Sequence, residues 1–329
     1  MKPAGPAAAV EAPPEKKKRK RGGGRIECDL GLLLGVGGLA ASRLGQLWIA
    51  FDVFSQFTLQ FGVVVAAFAI GRFLPRARLF AAFLLVICGL LAIGVWPHVA
   101  SRSPRIADVV KAGERAFKVA SFNSWYDNEQ VELVRGEIER LDADVITLIE
   151  FGPNKHGLLK QLAQRYPYQA QCFAVDYCHM AILSKFPLAN FESRVNWEGA
   201  PMIMAKLGPE FGGLTVIGVH TIRFPHSRAQ YRQVKGLAGL IETIPGAKLV
   251  MGDFNATPFS RITATIANQT GLRRLTSLPT WPARFGLPQV SIDHIFVSEG
   301  IRVVEEERIG EPAGSDHYPI TMTLAVPAN

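Results

Sequence analysis

The chain has 329 residues, is 48% hydrophobic and carries a formal net charge of +8. The charge is uneven: residues 1–100 hold 12 Lys/Arg against 5 Asp/Glu, whereas residues 101–329 hold 24 against 23. The C-terminal part therefore lacks the overall basic excess that tight nucleic-acid binding draws on, although a local basic groove stays open.

Residues 1–28 read as a disordered basic tail, Pro/Ala-rich at first, then Lys16 to Arg21 without a break, then Gly22 to Gly24. A nuclear signal or nucleic-acid arm would use such a run. A positive-inside anchor explains it better, because apolar sequence begins within about ten residues. Residues 29–100 are expected to form a membrane region of about three spans. The clearest is 79–95, which has no charged or strongly polar group. Leu30 to Ile49 and Val53 to Gly71 are the other two, less clean because they contain Arg43, Gln46, Gln56 and Gln60. Gly31-x-x-x-Gly35 offers a weak helix-packing signal. A cleavable signal peptide fits poorly, since the apolar section is too long and no small-residue cleavage site follows. With the tail inside and Arg72, Arg76 and Arg78 also inside, three spans put the rest of the chain outside. The basic residues Arg102, Arg105, Lys111, Arg115 and Lys118 oppose that orientation. If the first segment only lies in the interface, two spans leave the domain inside.

After a linker over 101–116, strands alternate with helices through 117–326. Lys118 to Phe122, Asp144 to Ile149, Leu214 to Val219, Lys248 to Met251, Ile292 to Val297 and Ile320 to Leu324 read as strands. Val131, Val134, Ile138 and Leu141 recur at helical spacing, and a helix starting at Pro225 buries Tyr231, Val234, Leu237 and Ile241. Cys28 and Cys88 lie in or beside apolar spans as inert hydrophobes. Cys172 and Cys178 suit a loop-closing disulfide if the domain faces an oxidising compartment, and two buried thiols otherwise.

Polar residues recur where these apolar runs end: Asn123, Glu150, His220, Asp253, Asn255, Asp293, Asp316 and His317. Singly, each has a plain explanation: a turn for Asn123, a satisfied core ring for His220, a helix cap for Asp253. Together they supply the carboxylates and imidazoles of metal-assisted phosphoester hydrolysis. No Gly-rich phosphate loop of the dinucleotide or Walker type is present.

From Phe117 to about Val326 the chain resembles the endonuclease/exonuclease/phosphatase superfamily. The motifs that carry the resemblance are Ser121-Phe122-Asn123, Leu148-Ile149-Glu150, Gly218-Val219-His220-Thr221, Gly252-Asp253-Phe254-Asn255, Ser291-Ile292-Asp293-His294 and Gly314-Ser315-Asp316-His317. The hydrophobic N-terminus is also similar to that of bacterial membrane-anchored members. The resemblance implies an α/β fold, a four-layer sandwich of two packed mixed sheets flanked by helices, here preceded by transmembrane helices. It implies Mg²⁺, or alternatively Mn²⁺, held by Glu150 with Asn123 and Asp316. Asp253 would orient or deprotonate the attacking water and Asn255 would hold a phosphate oxygen. His317, oriented by Asp293, and His220 would act on the phosphate and leaving group; which is acid or base stays open.

Four further residues or groups rank lower. His179 is as well explained by the sheet beside the cysteine loop. His294 is expected to pack away from the site, Trp281 beside Pro282 is expected to pack rather than touch substrate, and Arg223, Arg228 and Arg232 are expected on a solvated helix face rather than against an anionic substrate. The expected activity is phosphoester hydrolysis by direct attack of water, nuclease-type first and phospholipid or sphingolipid phosphodiesterase second, with a silent scaffold domain as the reading of another class. The substrate is then nucleic acid or phospholipid, the other partner is the lipid bilayer, and no protein partner is inferable. The expected location is a bacterial inner membrane with the domain on its periplasmic side.

Overall fold

The computed structural model describes residues 23–72, 86, 89, 109–173 and 178–327. The N-terminal elements are α1 (Gly23–Leu44), the short α2 (Asp52–Ser55) and α3 (Thr58–Gly71). They are followed by β1 (Glu114–Asn123), α4 (Val131–Leu141), β2 (Val145–Ile149), α5 (Leu158–Gln161), β3 (Tyr168–Gln171), β4 (Ala181–Ser184), β5 (Leu188–Arg194), β6 (Met202–Leu207) and β7 (Thr215–His220). The chain continues with α6 (Ser227–Thr243), β8 (Lys248–Asp253), α7 (Arg261–Thr270), β9 (Arg273–Arg274), β10 (Asp293–Val297), β11 (Arg302–Ile309) and β12 (Ile320–Pro327).

Two mixed sheets result, ordered β11-β12-β1-β2-β4-β3 and β5-β6-β7-β8-β10-β9. Each has one parallel pair near its centre, β1 with β2 and β7 with β8. The strands of those pairs read as nearly continuous apolar runs because both faces are covered. One face of each sheet meets the other sheet through a cluster including Phe117, Val119, Ile182, Val216, Met251 and Met322. The opposite face of the first sheet buries Val134, Ile138 and Leu141 of α4; that of the second buries Val234, Leu237 and Ile241 of α6 with Ile262 and Ile266 of α7. The apolar positions at helical spacing therefore do face the core, and the fold is two packed sheets with flanking helices.

The N-terminal segment departs from the expected spans. Helix α1 stops at Leu44 rather than running to Ile49, and α3 is bent by 61° from the Ile49–Ser55 piece before it. No single described helix is long and apolar enough to cross a membrane; only that bent pair passes by length and composition. The expected third span, 79–95, lies outside the described residues apart from Val86 and Gly89. Helices α1 and α3 form a hairpin. At Gly31, Gly35 and Gly38 a Cβ would meet Phe68, Val65 and Phe61 within 2.8 Å, so these glycines let the helices approach. The Gly31-x-x-x-Gly35 signal thus has a structural use.

The break at the hairpin tip has a cause: its polar groups are spent on the C-terminal domain. Asp52, fully buried, accepts from Ser260 Oγ at 2.5 Å and from Arg261 N at 2.7 Å. It joins the Ser260 hydroxyl, which accepts from Ile262 N, in capping α7. Asp253, the cap suggested by sequence, does not serve that helix. Gln56 Oε1 accepts from Thr257 N at 2.7 Å, and the Thr257 hydroxyl donates to Ser55 O at 3.1 Å. Burial raises the Asp52 carboxyl above its usual range, opposed by the Ser260 and Arg261 hydrogen bonds. Asp52→Ala leaves the buried Ser260 hydroxyl and the partly buried Arg261 N–H without this partner and is expected to cost about 1–3 kcal/mol. It should lower the unfolding temperature of the detergent-solubilised chain and open the 45–57 segment to protease.

Candidate active site

The two central parallel pairs end at the same edge of the sandwich, and their last residues are among the polar groups expected to act. Asn123 ends β1 opposite Ile149, and Glu150 follows β2. His220 and Asp253 end β7 and β8 as register partners. Asp293 opens β10 directly opposite Asp253, and the 314–319 loop before β12 brings in Asp316 and His317. Strands whose interiors are buried deliver their polar termini to one place.

Glu150 and Asn255 both sit in the left-handed backbone region, at φ 50° and 46°. Two non-glycine residues in that region at one sheet edge are a cost that the surrounding contacts hold in place. Gly252 has a different constraint, since an added Cβ would lie 1.9 Å from Val219 O. Only glycine lets β8 approach β7 closely enough to set Asp253 beside His220.

The Asn123 amide donates to Asp253 Oδ2 at 3.0 Å and Glu150 Oε1 at 3.3 Å, while its oxygen accepts from Trp125 N. Tyr126 N donates to Glu150 Oε2 at 3.0 Å. His220 Nε2 is 3.3 Å from Glu150 Oε1 and 3.8 Å from Asp253 Oδ2. His317 Nδ1 lies 2.9 Å from Asp293 Oδ2, and its Nε2 lies 3.7 Å from Asp253 Oδ2. Thr280 Oγ1 donates to the same Asp293 oxygen at 2.5 Å. Asn255 gives its backbone N–H to Asp253 Oδ1 and its amide to Asp253 Oδ2 and Thr221 O. Here Asn255 orients the carboxylate, in addition to any contact with substrate. Asp316 lines the cleft wall, where Oδ2 accepts from Trp281 Nε1 at 3.3 Å.

These groups surround a cleft of about 650 Å³ that also exposes Ile222, Arg223, Phe224 and Trp281. Trp281, expected to pack rather than touch substrate, therefore sits in the site wall. Tyr126 N–H and Thr280 were not foreseen; a backbone donor has no sequence signature, and Thr280 resembles any buried threonine. The His179 ring lies tilted against Tyr126, with ring centroids 4.6 Å apart. His294 packs away from the cleft, between Thr276 Oγ1 and Ala256 O. Cys172 and Cys178 are joined by a disulfide.

The electrostatics separate the roles. Burial by itself raises the Glu150 carboxyl, but His220, Tyr126 N–H and Asn123 outweigh it and hold it below its usual value. Burial and the neighbouring Asp293 push Asp253 up to about 6, against the pull of His317 and His220. Burial disfavours an imidazolium at His317, yet the carboxylates of Asp293 and Asp253 prevail and push it up to about 10. His317 is therefore a cation near neutral pH, and Asp253 is a base poised there.

Glu150, His220 and Asp253 place one possible ligand atom each within 4.8 Å of one another, as do Asp253, Asp293 and His317. Asp293 Oδ1 is buried without a hydrogen bond. In the first group two carboxylates face the cleft, a hard-oxygen set that fits Mg²⁺ completed by water and phosphate oxygens. A buried edge with this acid–base arrangement belongs to a metal-dependent phosphoester hydrolase. A family model described as "Endonuclease/Exonuclease/phosphatase family" matches residues 120–317, and the chain belongs to that family.

Two UPF0294 proteins of Vibrio vulnificus are 31% identical over 121 residues, which is 35% of this chain. The match spans 41% of those relatives' length. Among solved structures, an endonuclease/exonuclease/phosphatase from Bacteroides vulgatus aligns at 19% identity with a TM-score of 0.53, covering 64% of this chain and 98% of that one. Sphingomyelinase C from Streptomyces griseocarneus aligns at 16% and 0.50, covering 64% and 99%. A Staphylococcus aureus beta toxin mutant with bound magnesium ions gives 16% and 0.50, covering 63% and 99%. The likenesses to solved structures, all below 20% identity, speak for the fold alone.

Asp253 must lose its proton for the first cation group to be fully charged. Its raised value means that protons compete with the ion below about pH 6. Mg²⁺ affinity measured by calorimetry is expected to be nearly flat above pH 7 and to fall by up to about tenfold per unit below pH 6. In the ion-free protein the two shifts act on stability in different windows. Asp253, raised from 3.8 to about 6, withdraws stability as pH climbs between those values. His317 contributes fully below about pH 6.5 and loses its contribution as pH rises toward 10.

Proposed function

We propose that this protein is a membrane-anchored, Mg²⁺-dependent phosphodiesterase that uses direct attack by water. The observation that carries this reading is the meeting of Glu150, His220, Asp253 and His317 at one cleft. Glu150 would hold the ion, with Asp253 at the edge of its shell. When bound, such an ion polarises a phosphoryl oxygen and lowers the pKa of water. Asp253, fixed by Asn123 and Asn255, accepts the proton of the attacking water. His317, held by Asp293 and Thr280, presents an imidazolium N–H to the charge that grows on the phosphoryl oxygens. His220, across the cleft beside Glu150, serves the leaving group. Among the described residues that line the cleft there is no Ser, Cys or Lys to form a covalent intermediate.

Between the two substrate classes expected from sequence, a phospholipid is favoured over nucleic acid. The cleft wall includes Ile222, Phe224 and Trp281, and the Phe224 ring stacks edge-on against Phe57 of the hairpin tip with centroids 5.9 Å apart. Gln60 Nε2 donates to Gln289 O, seating the start of α3 beside the same mouth. The cleft thus opens next to the apolar N-terminal hairpin. The name of the Streptomyces neighbour, sphingomyelinase C, agrees with this choice.

Membrane anchoring is supported by the exposed Leu30, Leu33, Leu34 and Ile70 on the hairpin, by the apolar run at 79–95 and by the basic tail. If the bent Ile49–Gly71 piece crosses, α1, which packs along it, would cross with it. The apolar run at 79–95, read from sequence as a third span, would then return the chain to the side of the hairpin tip, where the domain sits. This favours three spans and a periplasmic domain in a bacterial inner membrane, which also suits the disulfide.

With phosphatidylcholine, sphingomyelin, DNA and RNA assayed in Mg²⁺ and in chelator, lipid hydrolysis should dominate and chelator should stop it. Glu150→Gln and His317→Ala should each reduce turnover by about 10²–10⁴-fold while the fold persists by circular dichroism. Full activity in either variant refutes the site, and DNA cleavage without lipid hydrolysis refutes the substrate. Alkaline phosphatase fused after residue 329 is expected to be active; an inactive fusion would put the domain inside.

A further inference from the structure

We propose that the arginine-bearing edge beside the hairpin tip is a docking surface for anionic phospholipid headgroups. The inference rests on the membrane reading above and goes beyond it by assigning Arg228 and Arg232. Helix α6 presents Arg228, Arg232 and Lys235 at successive turns of one exposed stripe, and Arg223 is exposed just before it. None of the four has an ion-pair partner among the described residues. Four unpaired cations in 13 residues, in a domain with no overall basic excess, form a local positive field.

Their position supplies the second argument. Ala50 of the hairpin tip and Pro225, His226, Arg228 and Arg232 line one shallow cleft of about 410 Å³. Arg228 and Arg232 do not line the active-site cleft, so substrate contact does not account for them. The tip is clamped to the domain through Asp52, Gln56 and Thr257, so the stripe keeps a fixed height relative to the hairpin.

Beside the clamped tip the exposed groups pass from apolar to mixed to basic. Leu30, Leu33, Leu34 and Val36 project from the middle of α1, Arg43 and Gln46 are exposed at and just after its end, Leu47 and Trp48 at the tip, and the arginines of α6 beside it. That sequence matches hydrocarbon, the interface where tryptophan concentrates, and headgroups. A nucleic acid would use the same charges but gives no reason for Trp48 and the leucines beside them. The proposed occupant is therefore an anionic bilayer, whose surface attracts each nearby arginine by about fivefold in local partition.

The test uses the full chain reconstituted in nanodiscs of phosphatidylcholine alone and of phosphatidylcholine with phosphatidylglycerol. Hydrogen exchange is read over residues 223–235, and turnover of a water-soluble chromogenic phosphodiester is read in parallel. Exchange is expected to slow in the anionic discs only. The protection should weaken by about fivefold for each of Arg228→Gln and Arg232→Gln, and disappear at high salt, with phosphodiester turnover unchanged. Equal exchange in both discs, or protection that the double variant retains, overturns the proposal and leaves the anchor standing. Protection by a DNA oligonucleotide but not by anionic lipid overturns it in favour of nucleic acid. Failure of the chain to float with lipid vesicles overturns the membrane reading and this inference together.

Discussion

Two carboxylates, Asp253 and Asp293, lie almost wholly out of water as register partners on adjacent strands, and the rest of the site is arranged around that fact. Like charges so placed repel and lose hydration, which neither strand can correct alone. The correction comes from the other sheet: His317, on the loop leading into β12, reaches Asp293 with one ring nitrogen and approaches Asp253 with the other. Asn123, at the end of β1, adds an amide donor to Asp253. The packing of the two sheets is therefore fixed by charge at this edge as well as by apolar area in the middle. Ser315 reinforces it by donating to Asn123 O while accepting from His317 N.

The same arrangement distinguishes the two histidines, which sequence leaves equivalent. His317 is buried between two acids and becomes a cation. His220 stands more open, beside Glu150, whose charge is held by several donors at once. A ring that stays protonated suits charge stabilisation, and the more open ring faces the cleft directly. Burial asymmetry across a shared mouth thus gives two residues of identical type different surroundings.

Most of the central strands were legible because burial on both faces leaves apolar runs that end at polar residues. Asn123, Glu150, His220, Asp253 and Asp293 stand at those ends, so reading the runs located the site. The edge strands were not legible. β5 and β11 carry charges such as Glu192, Arg194 and Glu305 on half-exposed faces and contain register shifts, which erase a clean alternation. Tyr126 and Thr280 escaped notice because a backbone N–H and a buried hydroxyl acquire meaning only from what they face. The hairpin break escaped for a related reason. Gln56 reads as a blemish in an apolar span and Asp52 as part of the connection before it, whereas their partners lie about 200 residues away on α7 and its approach.

That long-range pairing has a consequence for how anchor and site work together. Thr257 lies two residues beyond Asn255, and its N–H and hydroxyl are both held by the hairpin tip. Asn255 occupies the left-handed region and gives its N–H and amide to Asp253. On the opposite side of the same loop, Gln230 of α6 donates to the carbonyls of Phe254 and Asn255. The segment carrying the base is therefore gripped from the hairpin at one end and from the arginine-bearing helix at the other. A strained residue persists only where its surroundings over-determine it. Here part of that determination comes from the N-terminal hairpin, so the geometry around Asp253 and the seating of the domain on its hairpin are one mechanical problem.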